Sequence, residues 1–183
     1  MKNNVLVVSG LWDSGPAHWQ THWLKDYPAW AKVAHRDFAL PQRDEWVAEL
    51  DAAIAACDGP PILLAHSLGC MLVAQWAQSG SPLHIAGAML VAPSDVAAAS
   101  YPIDANDFLP IPMTAFSFPS LLVASTDDEY ADLDRARAFA KAWGSEIVEL
   151  ADAGHINGDS GYGPWPEGLQ LLEAFTARLP NAA

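Results

Sequence analysis

Apolar residues along the chain follow two patterns that take turns. The first is a short unbroken run, seen at Val5–Ser9 (VLVVS), Pro61–Ala65 (PILLA), Ile85–Pro93 (IAGAMLVAP) and Ser120–Thr126 (SLLVAST). Such runs predict strands covered on both faces, as strands are inside a parallel sheet. A weaker strand around Lys32–Asp37 and a last short apolar one at Glu146–Leu150 (EIVEL) bring the number to six. The second pattern spaces apolar residues three and four apart. In Arg43–Cys57 it picks out Trp46, Val47, Leu50, Ile54 and Cys57, one face of a helix.

Further helices are predicted at Pro16–Tyr27, Leu68–Gln78, Tyr130–Gly144 and Pro166–Leu179. Ser14 or Gly15 stands near the N-cap of the first, with Pro16 in its first turn. Gly144 suits the left-handed residue that ends a helix. Strand and helix alternate throughout, which predicts an α/β fold: a mostly parallel sheet with helices on both faces. No linker, repeat or low-complexity tract interrupts the order, so residues 1–183 are expected to form one domain. The one long irregular stretch is Pro93–Pro119, longer than a compact domain usually carries without a purpose. Its Phe108, Leu109, Ile111, Met113, Phe116 and Phe118 read either as a short flap lining an acyl pocket or as a proline-stiffened cover for the sheet edge.

Charge narrows the choice of partner. The chain has 22 acidic against 9 basic residues, a net charge of −13. Such a surface repels phosphate backbones and anionic lipid, so neither nucleic acid nor a membrane surface is an expected partner. Cys57 and Cys70 are too few for a disulfide framework and read as buried thiols. The run Val5–Val8 is shorter than the roughly 7–15 apolar residues of a secretory signal. Nothing approaches the roughly 20 residues of a membrane span. The expectation is a reduced, cytoplasmic protein.

The candidate chemistry starts at Ala65-His66-Ser67-Leu68-Gly69, where a buried strand meets a helix. A strained strand-to-helix turn needs small residues two before and two after its nucleophile, and it lifts the hydroxyl to the helix N-terminus. Ala65 stands where Gly is usual, and it is still small. A serine needs a base, and the base an orienting carboxylate. On this kind of sheet they follow in the order Ser, Asp or Glu, His, each past the end of a strand. Asp127 and Asp128 follow one strand, and His155 lies in a Gly-rich loop after the last. Spacing leaves the two aspartates open. Two backbone N–H groups should hold an oxyanion: that of Leu68, and one from the turn after the first strand, Leu11 in preference to Trp12.

Other candidates carry less. His18 and His22 share a helix face but lack the Glu of H-E-x-x-H, with Trp19 in its place, so no metal is expected. The Gly10–Gly15 turn lacks G-x-G-x-x-G, and no cofactor is expected. Trp19, Trp23, Trp30 and Trp46 should pack on the sheet, whereas Trp12 and Trp165, in loops at the active edge, are candidate substrate-pocket walls.

The segments AHSLGC, ASTDDEY, WGSEIVEL, AGHINGDSGYGPWPEG and HWQTHW together resemble the RBBP9/YdeN family of small serine hydrolases. The resemblance spans nearly the whole chain and implies a compact α/β-hydrolase without a large lid domain. It implies Ser67 as nucleophile and His155 as base. It also implies Asp128 as the acid, because the family's acid is commonly followed by Pro and an aromatic, and Glu129-Tyr130 occupy that place. Glu129 in place of Pro departs from the family pattern. The expected activity is hydrolysis of a small carboxyl ester, thioester or activated amide through an acyl-enzyme. The competing reading is a catalytically weak scaffold that serves as a protein-interaction module, and the intact Ser, Asp and His argue against it.

Overall fold

Strand residues here split cleanly between two faces. The computed structural model describes residues 4–102 and 105–179. Strands β1 (Val5–Val8), β3 (Ile62–His66), β4 (Gly87–Val91) and β5 (Ser120–Ser125) form the centre of a six-stranded sheet. Leu6, Val8, Leu63, Ala65, Ala88, Leu90, Leu122 and Ala124 bury against one layer. Their neighbours Val5, Val7, Ile62, Leu64, Met89, Val91, Leu121 and Val123 bury against the other. Two apolar faces demand two helical layers, and the chain supplies them. Helices α2 (Arg43–Ala55), α3 (Leu68–Ala77) and α4 (Leu133–Trp143) cover the first face through residues such as Leu50, Met71 and Phe139. Helices α1 (Trp19–Asp26) and α5 (Pro166–Thr176) cover the second through Trp19, Trp23, Leu172 and Phe175.

With the short β2 (Ala31–Lys32) and β6 (Glu146–Leu150), the strand order is β2-β1-β3-β4-β5-β6, and every pairing is parallel. After β1 the chain goes to β2 on one side; after β3 it goes to β4 on the other. The order therefore reverses between β1 and β3, where the departing helices α1 and α3 take opposite faces. The crevice past the carboxyl ends of these two strands is the natural ligand position in such a sheet.

Several local expectations need correction. The strand predicted around Lys32–Asp37 stops at Lys32, because the following side chains are claimed by α2. His35 stacks on Trp46 at 3.9 Å and bonds Glu49, and Arg36 pairs with Glu45. Helix α1 starts at Trp19 rather than Pro16, and its N-cap is His18, whose ring accepts the Gln20 N–H. Helix α4 starts at Leu133 rather than Tyr130, because Asp132 caps it by accepting the Arg135 N–H at 2.8 Å. Strand β6 is an edge with exposed Glu146, Ile147 and Glu149, not a buried apolar run. Cys70 is buried, but Cys57 only half-buried.

Within Pro93–Pro119, residues 103 and 104 lie outside the described residues. Phe108 is fully buried against α2 and α3 beside a short 3₁₀ turn, Asn106–Phe108. Ile111, Leu109, Phe116 and Phe118 join that same core, and of the six apolar residues named above Met113 is the one well exposed. Phe108, Leu109, Ile111 and Phe116 therefore seal the helical layer, while Tyr101 and Pro102 of the same segment line a cavity past the strand ends. Among the described residues, no helix is long and apolar enough to cross a membrane.

Candidate active site

Ser67 bridges β3 and α3 with φ 57° and ψ −125°, a left-handed conformation that side-chain-bearing residues rarely hold. Close packing imposes it. A side chain on Gly10 would meet the Ser67 Cβ at 2.8 Å, and one on Gly69 would meet the Val8 carbonyl at 2.5 Å. The turn is pressed against the end of β1, and its own amide donates to the Val91 carbonyl at 3.0 Å. Together these contacts fix the hydroxyl above α3, where the first N–H groups of the helix are open.

Two loops bring partners to that hydroxyl. The Ser67 Oγ lies 2.9 Å from His155 Nε2. His155 Nδ1 lies 2.9 Å from each carboxylate oxygen of Asp128. The pair is removed from water, with side chains 6% and 3% exposed. Asp128 also turns its own loop by accepting the Tyr130 N–H, and the Tyr130 ring stands edge-on to His155 at 4.5 Å. Spacing had left Asp127 and Asp128 open. In the folded chain Asp128 faces the imidazole, while Asp127 staples the loop by accepting from Ser125 Oγ at 2.6 Å and Gly154 N at 2.7 Å. Those bonds hold the Asp127 carboxyl below its ordinary range.

The backbone N–H groups expected at the site differ in their partners. Trp12 N–H is taken by the Phe38 carbonyl at 2.8 Å, so it is not free for a ligand. Leu11 and Leu68 N–H have no partner among the described residues. Leu11 and Ser67 share a cavity of about 350 Å³ with Trp12, Tyr101, Tyr130 and His155. Trp12 is 57% exposed at its rim. Trp165 is elsewhere, and its assignment as a pocket wall is corrected. It is 6% exposed, stacked on Trp23 at 5.8 Å and edge-on to Trp19 at 5.3 Å. Its left-handed backbone, φ 40°, folds the ring back over Gly168, where a Cβ would strike it.

Sequence reasoning missed the residues that hold these groups still. His66 sends its Nε2–H to the His155 carbonyl at 2.9 Å, tying the serine turn directly to the histidine loop. Burial pushes the His66 pKa well below the ordinary histidine range, and the neighbouring His18 and His155 push it the same way, so the ring stays neutral and keeps that donor. Trp19 Nε1–H holds the next carbonyl, Ile156, at 2.8 Å. Ser94, fully buried past the end of β4, lies with its Oγ 2.7 Å from the Ser67 Oγ. Its place beyond a strand's carboxyl end was the available signal. His18 does not share a site with His22. Its ring lies edge-on to His66 at 4.6 Å, while His22 lies against Gly163. Among the described residues, no cluster of three or more His, Cys, Asp or Glu side chains could hold a metal ion.

Comparison with known proteins identifies the family and the fold. A family model described as serine hydrolase matches residues 5–174. The chain belongs to the serine hydrolase family. Among solved structures, this serine hydrolase is similar to a YdeN-like hydrolase from Pectobacterium atrosepticum. Identity is 36%, covering 97% of this chain and 92% of that one, with a TM-score of 0.86. It also resembles the YdeN protein of Bacillus subtilis, at 19% identity over 95% and 98% of the two chains, with a TM-score of 0.75. An esterase from Rhodococcus shares the fold at 13% identity, covering 96% and 90%, with a TM-score of 0.69. No curated protein sequence matches. The serine hydrolase is thus an α/β-hydrolase enzyme of the YdeN type.

Proposed function

We propose that this enzyme cleaves a small carboxyl ester, thioester or activated amide through an acyl-enzyme on Ser67, with His155 as base and Asp128 as its orienting acid. The observation that carries the reading is the hydrogen-bonded line from Ser67 Oγ through His155 to both oxygens of Asp128, at 2.9 Å for each contact. Asp128 can only accept, so it fixes the His155 proton on Nδ1 and leaves Nε2 to receive the serine proton.

Ser67 attacks the carbonyl carbon, its proton passes to Nε2, and the C=O electron pair moves onto oxygen. The Leu11 and Leu68 N–H groups meet that oxyanion. Such donors are worth about 3 kcal/mol each at the transition state. Collapse re-forms the C=O bond and expels the leaving group, which takes the proton from His155. Water then repeats the sequence and frees Ser67. A cavity of about 350 Å³, rimmed by Trp12, Tyr101 and Tyr130, suits a small acyl or alcohol group and gives little room for a long chain. The test is turnover of p-nitrophenyl acetate and a short-chain acyl thioester. Wild type is expected to hydrolyse at least one, with Ser67→Ala and His155→Ala at background. Folded wild type that turns over neither, or a Ser67→Ala variant that retains the rate, would refute the reading.

A further inference from the structure

The 2.7 Å contact between Ser67 and Ser94 has a direction that proton counting determines. Both Asp128 oxygens face His155 Nδ1, so in the neutral imidazole the proton is on Nδ1 and Nε2 carries a lone pair. Ser67 must therefore send its only proton to Nε2. That leaves Ser94 as the donor in the bond between the two serines.

Resting on the hydrolase reading above, we propose that Ser94 is a further catalytic residue, whose hydroxyl hydrogen-bonds the reacting Ser67 Oγ and aims and stabilises it. The Oγ of Ser67 has four directions. One is the bond to Cβ, one the proton held by His155, and one the lone pair held by Ser94. The fourth is the only lone pair free to attack, so the Ser94 bond fixes the line of approach. As the Ser67 proton moves to His155, charge gathers on Oγ, and the bond from Ser94 becomes charge-assisted, roughly twice as strong as a neutral one. Ser94 keeps its own proton throughout. In the tetrahedral adduct Oγ is bonded to carbon and accepts weakly, so the benefit falls mainly where charge on Oγ is greatest. When water displaces the acid, the C–Oγ bond breaks and Oγ gathers charge again before His155 returns the proton. Ser94 therefore acts on both halves of the cycle.

The fold supports this placement. Ser94 is wholly buried, and it follows Ala92, whose φ of 48° makes a second left-handed turn at the strand end next to Ser67. The Ala92 amide is anchored on Val123 at 2.8 Å, so the turn has little freedom. Placement by packed backbone of this kind is what pre-organises a donor.

The experiment compares wild type, Ser94→Ala and Ser94→Thr in two assays: the rate constant for labelling by a fluorophosphonate probe, and kcat and KM for p-nitrophenyl acetate. Thermal melts accompany both. Ser94→Ala, a smaller side chain that the buried site can accept, is expected to slow labelling and kcat tenfold to a hundredfold with KM unchanged. Ser94→Thr, which keeps the hydroxyl, is expected to recover much of the loss. A Ser94→Ala protein within twofold of an active wild type overturns the proposal and leaves the hydrolase reading standing. A raised KM at unchanged kcat also overturns it, because Ser94 would then contact only bound substrate. Folded wild type that neither labels nor turns over overturns both.

Discussion

Gly69→Ala is a small change with a large expected effect. A Cβ at position 69 would lie 2.5 Å from the Val8 carbonyl oxygen and 2.9 Å from that of Ser9. Ordinary contact begins at about 3.4 Å, and both obstacles are backbone at the end of β1 that cannot rotate aside. Relief requires the start of α3 to retreat by about 0.9 Å in a close-packed interior. The displaced backbone carries Leu68 N–H and, one residue earlier, the Ser67 hydroxyl. A shift of about 1 Å in reacting groups costs on the order of a hundredfold in rate. Overpacking of this kind also costs about 1–3 kcal/mol of stability. Gly69→Ala should therefore lose about two orders of magnitude in kcat/KM for p-nitrophenyl acetate while still folding, with a lowered Tm. A variant that loses Tm but stays within threefold of wild-type kcat/KM would refute the reasoning: the glycine would then serve packing alone.

Three further outcomes follow from the geometry. Asp128→Asn should lose at least about a hundredfold in kcat, as expected when the imidazole is no longer held in the right tautomer. Asp127→Asn should lose under about tenfold and act mainly on Tm; the opposite ranking in steady-state kinetics would overturn the assignment. Burial first, and the neighbouring His155 second, push the His18 pKa down to about 4, below its unfolded value of 6.5. The folded state thus binds fewer protons in that window. The His18 contribution is fully present above pH 6.5 and is lost as pH falls toward 4, by about 3 kcal/mol in all. Urea denaturation at pH 7.5 and pH 5 should show His18→Gln losing less stability than wild type, and equal losses would contradict the assignment. Trp165→Ala should cost about 3–5 kcal/mol in stability with little change in KM, as a core tryptophan does. Trp12→Ala should raise KM with little change in Tm, and a reversed pattern in those two measurements would return Trp165 to the pocket.

The readable parts of the sequence were those where one local cause dominates. Continuous apolar runs marked β1, β3, β4 and β5, because strands buried on both faces keep polar residues to their ends, as with His66, Ser120 and Ser125. Ser67 was legible because its turn needs small neighbours, and His155 because a Gly-rich loop after the last strand is distinctive. The choice between Asp127 and Asp128 was not local. It depends on which carboxylate faces the imidazole once β5 and β6 are paired, and only the family pattern separated them beforehand. Trp165 misled for a similar reason. Its loop does sit past the strands, but a left-handed residue and Gly168 turn the ring back onto Trp23, and neither is visible as a pattern. His66 and Ser94 escaped notice because their contacts join segments 89 and 27 residues apart in the chain. The flap reading of Pro93–Pro119 divides: Tyr101 and Pro102 line the cavity beside Ser67, whereas Phe108, Leu109, Ile111 and Phe116 go to the helical layer, because apolar residues signal burial without naming the surface they bury against.

The central claim is that Ser67 is a nucleophile activated by His155. The most direct measurement is intact-mass and peptide mapping after exposure to a fluorophosphonate probe. The account predicts one adduct per chain, on the peptide containing Ser67. Ser67→Ala should carry none, and His155→Ala should react slower by a factor of a hundred or more. A folded wild-type protein that stays unmodified, or an adduct that persists in Ser67→Ala, would contradict it.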